Sequence, residues 1–262
     1  MNIIVCIKQV PDVTEAEVKI NKEGNDIIKE DLELVINEWD NYAVEEAVRI
    51  KERYGGKITI VTLGDEDAED ILRRALAMGA DEAIRIDEEG FEESDARGIA
   101  LGLYNTIKNL SFDLILTGVQ SSDMGWGQVG VFLAEMLNIP YATLAMEIEI
   151  KDSNVAVKRE LESNTFEKVK LPMPALITIQ TGINEPRYVS IMGIRRVRKL
   201  KIEEKDIESL DIATSEVGKS GSIIEIQRLI PPPEGKRAEI LSGNMDEMCE
   251  KLAQIIRERG GL

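Results

Sequence analysis

The chain has no histidine among its 262 residues, which removes the usual general base, the usual zinc ligand and any nucleophile that relies on an imidazole partner. Its two cysteines, Cys6 and Cys249, stand at opposite ends without CxxC or metal-ligand spacing. Neither a disulfide framework nor a thiolate metal site therefore has support. Positive charge is in deficit: 32 Lys and Arg face 49 Asp and Glu, a formal charge of −17. That balance argues against nonspecific adhesion to nucleic acid or anionic membrane and in favour of protein and small-molecule partners. No stretch reaches the roughly 18 apolar residues of a membrane span, and Met1–Val10 has no basic leader or cleavage site. The chain is expected to be neither exported nor membrane-spanning, and a reducing cytoplasm suits its cysteine usage. Internal repeats and low-complexity segments are missing too. What is present is 43% apolar and 31% charged residues, enough for one large α/β domain or a domain with an appendage. Chemistry in such a chain falls to a cofactor.

The first half alternates strand-like and helix-like segments. Ile3–Ile7 reads as a strand, and after a polar excursion Asn37–Tyr54 carries Ala43, Val44, Ala47, Val48 and Ile50 on one helical face, stopped by Gly55 and Gly56. Lys57–Leu63 is a β-branched run, followed by a helix carrying Ile71, Leu72, Ala75, Leu76 and Met78 and ended by Gly79. A short strand at Ala83–Ile86, a helix opened by Asp95 and a buried strand at Asp113–Thr117 continue the alternation, which predicts a mostly parallel, doubly wound sheet with right-handed crossovers. After Pro140 the segments Met146–Ile150, Val155–Leu161 and Ala175–Gln180 read as antiparallel additions to that sheet. Beyond Arg187 the chain is strongly charged. Its tail holds one helix candidate, Asn244–Arg259, and the stretch around Pro231–Pro233 is suited to wrapping a partner. The expected division is a nucleotide-binding α/β domain over 1–190 and a docking loop with C-terminal arm over 191–262.

The most informative stretch runs from Asp113 through Gly118 to Gly130 and leads into the apolar helix Val131–Leu137. A glycine-rich loop between a buried strand and a helix presents free backbone N–H groups and a positive helix end to a phosphate. In open parallel sheets, ligands bind beyond the carboxyl ends of the strands. Gly125, Gly127 and Gly130 permit close approach; Ser121, Ser122 and Gln128 offer hydrogen bonds to phosphate or ribose; Asp123 can accept from ribose hydroxyls or cap the helix. The spacing is neither a Walker A loop nor a Rossmann fingerprint, and a tight turn without ligand is the competing reading. Asn37-Glu38-Trp39-Asp40 sits at a helix start, where capping alone accounts for Asn37 and Asp40. Trp39 and Trp126 either stack on a ring or pack. The cationic run from Arg195 to Lys201 is either a solvated face or a surface that steers a docking partner.

Five segments in order resemble the electron-transfer flavoprotein beta-subunit family: Lys8-Gln9-Val10-Pro11-Asp12, Ala43-Val44-Glu45-Glu46-Ala47, Ala75 to Asp81, Val157 to Glu162 with Glu167 and Pro172 downstream, and Asn184-Glu185-Pro186-Arg187-Tyr188. The resemblance covers roughly the first 200 residues and is weaker in the tail. It implies an adenine-nucleotide α-hydrolase-like, Rossmann-like fold, a heterodimer with an alpha subunit, and a nucleotide held by this chain. Carried onto this sequence, the family's nucleotide contacts fall on Cys6, Asn37, Glu38, Trp39, Asp40, Leu63, Val119, Gln120, Ser121, Ser122, Asp123, Met124, Gly125, Trp126, Gly127, Gln128 and Val129. Gly127 and Val129 stand where many members have polar side chains, so only backbone contacts carry over there. Ile191 falls at the hydrophobic tip of the family's recognition loop, which docks on electron-accepting partners.

The family has two broad kinds. In one, the beta subunit holds AMP as a structural ligand; in the other it binds a second FAD that takes a hydride from NADH and sends its two electrons along separate paths. Through Lys8 to Asp12 and Gly118 to Asp123 this sequence resembles the second kind. That resemblance implies FAD as cofactor, NADH as substrate, the alpha-subunit FAD and ferredoxin or flavodoxin as acceptors, and a dehydrogenase or quinone reductase downstream. The competing expectations are a subunit holding structural AMP and a stress-protein-like ATP-binding domain. No SGGxDS-type loop is present to support a ligase-like version of the latter.

Overall fold

The computed structural model describes residues 1–233, 238 and 240–259. They fall into two units, Met1–Gln227 and Arg228–Leu262. In the first unit, strand β1 is Asn2–Cys6, and the polar excursion after it forms a small antiparallel ribbon of β2 (Gln9–Pro11) and β3 (Leu34–Ile36). Helix α1 (Glu38–Tyr54), β4 (Lys57–Leu63), α2 (Glu69–Met78), β5 (Glu82–Ile86), α3 (Ala96–Ile107), β6 (Leu114–Gly118) and α4 (Val129–Leu137) follow. Next come β7 (Tyr141–Lys151), β8 (Asn154–Leu161), β9 (Thr165–Pro172), β10 (Ala175–Ile179), α5 (Ile191–Val197), β11 (Ile202–Lys205) and the short α6 (Gly218–Gly221).

Nine of these strands form one sheet in the order β11-β5-β4-β1-β6-β10-β7-β8-β9. The chain builds outward from β1 through β4 to β5, then returns to the other side of β1 with β6, so the winding reverses beside β1. The expected α/β sheet, mostly parallel with antiparallel additions, is present. One detail needs correction. The segments Met146–Ile150 and Ala175–Gln180 are not antiparallel additions to the parallel core: β10 inserts between β6 and β7 and runs parallel to both. In this sheet only the pairings of β8, with β7 on one side and β9 on the other, are antiparallel, so β8 alone runs against the core and β9 again runs with it. The far edge also draws in residues expected in the arm, because β11 pairs in parallel with β5.

The strands bury both faces, as central strands of a doubly wound sheet must. Along β1, Ile3 and Val5 enter one apolar cluster with Ala43, Val44 and Ala47 of α1 and Leu72 and Ala75 of α2. Ile4 and Cys6 enter the opposite cluster with Leu103 of α3 and Leu133 of α4. Each fully buried aliphatic side chain stabilises such a core by about 2 kcal/mol. Gly55 ends α1, and Asp95 caps α3 by accepting from the Arg97 and Gly98 N–H groups at 3.0 Å each.

In the second unit, α7 (Met245–Glu258) opens with a capping box in which Asn244 and Glu247 each bond the other's backbone. Among the described residues no helix is long and apolar enough to cross a membrane.

Candidate functional site

A cleft of about 400 Å³ lies over the carboxyl ends of β1, β4 and β6, where the winding reverses. This is the position that open parallel sheets offer to ligands. Its wall is set by the first turn of α1. Asn37 precedes the helix, yet its side chain makes no capping bond. Instead its Nδ2 donates to the Gln120 carbonyl at 2.8 Å and its Oδ1 accepts from the Ser122 N–H at 3.1 Å. Capping alone therefore does not account for Asn37; it grips the glycine loop.

Asp40 is buried and holds two strand ends together. Its Oδ2 accepts from the Lys8 N–H at 2.7 Å and its Oδ1 from the Gly118 N–H at 2.9 Å. Burial pushes its carboxyl up to about 7, although the Lys8 and Gly118 N–H groups and the Asn37 side chain pull the other way. Cys6 lies beneath, its thiol pushed well above the usual range by burial and by Asp40, so it is a packing group and no nucleophile. At the open side, Asp123 pairs with the Lys8 ammonium. Partial burial would raise the Asp123 carboxyl, but Lys8 outweighs it and the group stays below the usual carboxylate range.

Helix α4 begins at this cleft with no side chain capping its first turn. Gln128, Val129 and Gly130 line the cleft, so the positive helix end and its uncapped N–H groups stand where an anion binds best. Gly125 and Gly127 take φ values of +62° and +63°, a conformation that costs other residues about 1–2 kcal/mol. Leu63, Phe91, Ile99 and Leu103 supply an apolar wall, and Asp65, Glu88, Glu92 and Glu93 an acidic rim. A phosphate is thus favoured at the α4 end, while the acidic rim favours hydroxyl donors. Burial, with Asp65 and Glu92 nearby, pushes the Glu88 carboxyl up. Among the described residues no group of three or more Cys, Asp or Glu is arranged to hold a metal ion. The arrangement is suited to gripping a nucleotide.

Residues 25–210 match the electron transfer flavoprotein domain. The chain is 39% identical to electron transfer flavoprotein subunit beta of Bacillus subtilis over 98% of both chains, and 34% identical to the subunit of the same name from Methylophilus methylotrophus over the whole of both. It is also 32% identical to the caffeyl-CoA reductase-Etf complex subunit CarD of Acetobacterium woodii, over 99% of each. The chain belongs to the electron transfer flavoprotein beta-subunit family. As a beta subunit it serves electron transfer, and the family implies an alpha-subunit partner and association with a flavin or nucleotide.

Within this beta subunit the structure brings most of the sequence-derived positions to one place. Cys6, Asn37, Asp40, Leu63, Val119, Gln120, Ser121, Asp123, Met124, Trp126, Gly127, Gln128 and Val129 all line the cleft. Glu38, Trp39, Ser122 and Gly125 do not. Glu38 is exposed, and the Trp39 indole N–H turns away to the Gln180 side-chain oxygen at 2.9 Å. Ser122 offers its N–H to Asn37, and a Cβ added at Gly125 would meet open space. Ile191 lies at the start of α5 and is 70% exposed, beside the exposed Tyr188 and Met192. The acidic rim and the wall from α3 were missed by sequence reasoning. The signal was the end of β5: a ligand above the carboxyl ends of neighbouring strands also meets the chain leaving the next strand, here Glu88–Glu93.

Proposed function

We propose that this chain binds FAD in the cleft and, as a heterodimer with its alpha subunit in the cytoplasm, oxidises NADH. Its electrons pass singly to the alpha-subunit FAD and to a low-potential acceptor such as ferredoxin or flavodoxin. A dehydrogenase or quinone reductase draws on the alpha-subunit flavin. The observation that carries the reading is the uncapped α4 terminus and glycine loop opening onto a cleft that continues past Lys8 to Gln9, Pro11 and Leu34. That extent suits a dinucleotide better than AMP.

The residues present fit the adenosine and phosphate end of such a cofactor. The backbone of Val119–Val129 and the α4 terminus would hold the phosphates, Leu63, Phe91, Ile99 and Leu103 would enclose the base, and the rim carboxylates would accept from ribose. The flavin ring supplies hydride acceptance and release of single electrons, so the protein needs no acid or base of its own. Its part is to fix geometry: Asn37 and Asp40 hold the loop to β1, and the apolar wall excludes water. The test is to coexpress the chain with an alpha subunit and identify the bound nucleotides by mass spectrometry and absorbance. FAD retained by this subunit supports the proposal; AMP here with FAD only in the alpha subunit returns the chain to the structural-nucleotide kind.

A further inference from the structure

The connection between β5 and α3 faces two ways. On one side Glu88, Phe91, Glu92 and Glu93 line the cleft. On the other it is held by a distant stretch of chain, residues 207–223, which follows β11 within the same compact unit. The contacts are specific. Ser94 Oγ accepts from the Gly218 N–H at 2.7 Å, and Ser222 Oγ accepts from the Asp95 N–H at 2.8 Å while donating to the Glu93 carbonyl at 2.9 Å. Ser94 and Asp95 are both buried.

The packing behind the rim is equally close. Gly218 has φ +61°, and a Cβ there would stand 2.9 Å from the Gly90 carbonyl oxygen. Leu210, Ile212 and Val217 are buried in the same apolar cluster as Phe91. A rim packed this tightly from behind cannot shift by even a methyl group's width without disturbing that cluster.

Asp95 divides its two oxygens between two tasks. Oδ1 caps α3, whereas Oδ2 accepts from the Ile223 N–H at 2.8 Å. Burial would raise this carboxyl, but the Gly98, Ile223 and Arg97 N–H groups hold it below the usual range, so the bond to Ile223 is charge-assisted.

We propose that residues 207–223 are a brace that sets the cleft rim, with Asp95 as its positioning residue, so that nucleotide affinity and anchoring of the arm are coupled. The proposal rests on the reading of the cleft as a nucleotide site. If the brace favours the binding-competent rim by a given factor, bound nucleotide must favour the closed brace by the same factor. The brace leads directly into the exposed Ile223–Ile230 stretch, so whatever engages that stretch would register in the cleft.

The test uses the full-length chain in complex with its alpha subunit. Asp95→Asn keeps one side-chain acceptor to cap α3 but sets an amide donor against the Ile223 N–H; Ser222→Ala removes the second clasp without touching the cap. Loss of a charge-assisted hydrogen bond, transmitted in part to the rim, gives an expected three- to tenfold faster release of bound nucleotide, measured by filtration and absorbance. Hydrogen exchange at the Ile223 amide should accelerate when nucleotide is stripped from the wild-type complex and slow again when AMP or FAD is restored, with Arg97 and Gly98 unaffected. Faster exchange at Ile223 in both variants with unchanged nucleotide release would overturn the coupling while leaving the cleft a nucleotide site. A wild-type complex that takes up neither AMP nor FAD in this subunit would overturn both readings.

Discussion

Asp40 and Gly118 are fitted to one another: the Asp40 Oδ1 accepts the Gly118 N–H at 2.9 Å, and a Cβ at Gly118 would stand 2.3 Å from that same oxygen. Trp39 crowds the position from the other side, its Cβ 2.7 Å away. The end of β6 can therefore meet the start of α1 only through a glycine, and this contact fixes where the glycine loop begins. Gly118→Ala should cost about 1–3 kcal/mol through overpacking and loosen nucleotide binding as the loop shifts. A thermal melt and a bound-nucleotide assay on the same preparation check it; unchanged values in both would mean that α1 and β6 have room to separate.

The buried Asp40 carboxyl gives the fold a signature near neutrality. Its pKa in the folded chain is raised from 3.8 to about 7, chiefly by burial, so its contribution to stability is fully present below its ordinary value and is lost as pH rises through about 7. Groups beyond the reach of Asp40 titrate alike in wild type and Asp40→Asn. The stability of wild type relative to that variant should therefore fall between about pH 5 and pH 8. Melting curves of both proteins at these two values decide it, and a gap that widens in favour of wild type with rising pH contradicts the assignment.

Arg187, in the segment leading to Ile191, is tied to α1 through Glu45. Its Nε and Nη2 donate to the Glu45 carboxylate at 2.8 and 3.1 Å, and Arg49 Nε donates at 3.0 Å. Glu45 is buried and Arg187 partly exposed, which places the cost of Glu45→Gln between surface and buried pairs, about 2 kcal/mol. Burial works against the Glu45 carboxylate, but Arg187 outweighs it and holds its pKa below the usual range. Its contribution is thus present above the ordinary carboxylate pKa and lost as pH falls through the lowered one. Denaturation of wild type and variant should differ at pH 7 and converge towards pH 3; a constant difference would show that the charge is immaterial.

Ile191 is 70% exposed, so Ile191→Ala should change stability by less than about 0.5 kcal/mol. As an apolar anchor for docking it should nonetheless weaken electron delivery to an acceptor dehydrogenase about tenfold, with bound nucleotide unchanged. Steady-state transfer assays over a range of acceptor concentrations separate the two; wild-type delivery would remove Ile191 from the docking surface.

How far these features were legible varies with how local they are. Ile3–Ile7, Lys57–Leu63 and Asp113–Thr117 announce central strands because apolar β-branched runs need burial on both faces. The parallel placement of β10 between β6 and β7 depends on pairing that no local period records, and the prolines at 140, 172 and 174 suggest an interruption. The charged Glu203 and Glu204 make β11 look like arm, since an edge strand tolerates solvent-facing charge. At the site, glycines between strand and helix declare the loop, whereas Asn37 carries the same residue type for a cap as for its actual partner 83 residues away. The brace across Ser94 and Ser222 joins residues with no shared pattern, and only the folded chain brings them together.

The central claim is that this subunit carries a flavin reducible by NADH. The most direct measurement is anaerobic titration of the coexpressed heterodimer with NADH, followed by flavin absorbance, after counting FAD per complex. The account predicts two FAD per heterodimer and rapid bleaching on the first equivalents of NADH. One FAD with one AMP, and no direct reaction with NADH, would contradict it.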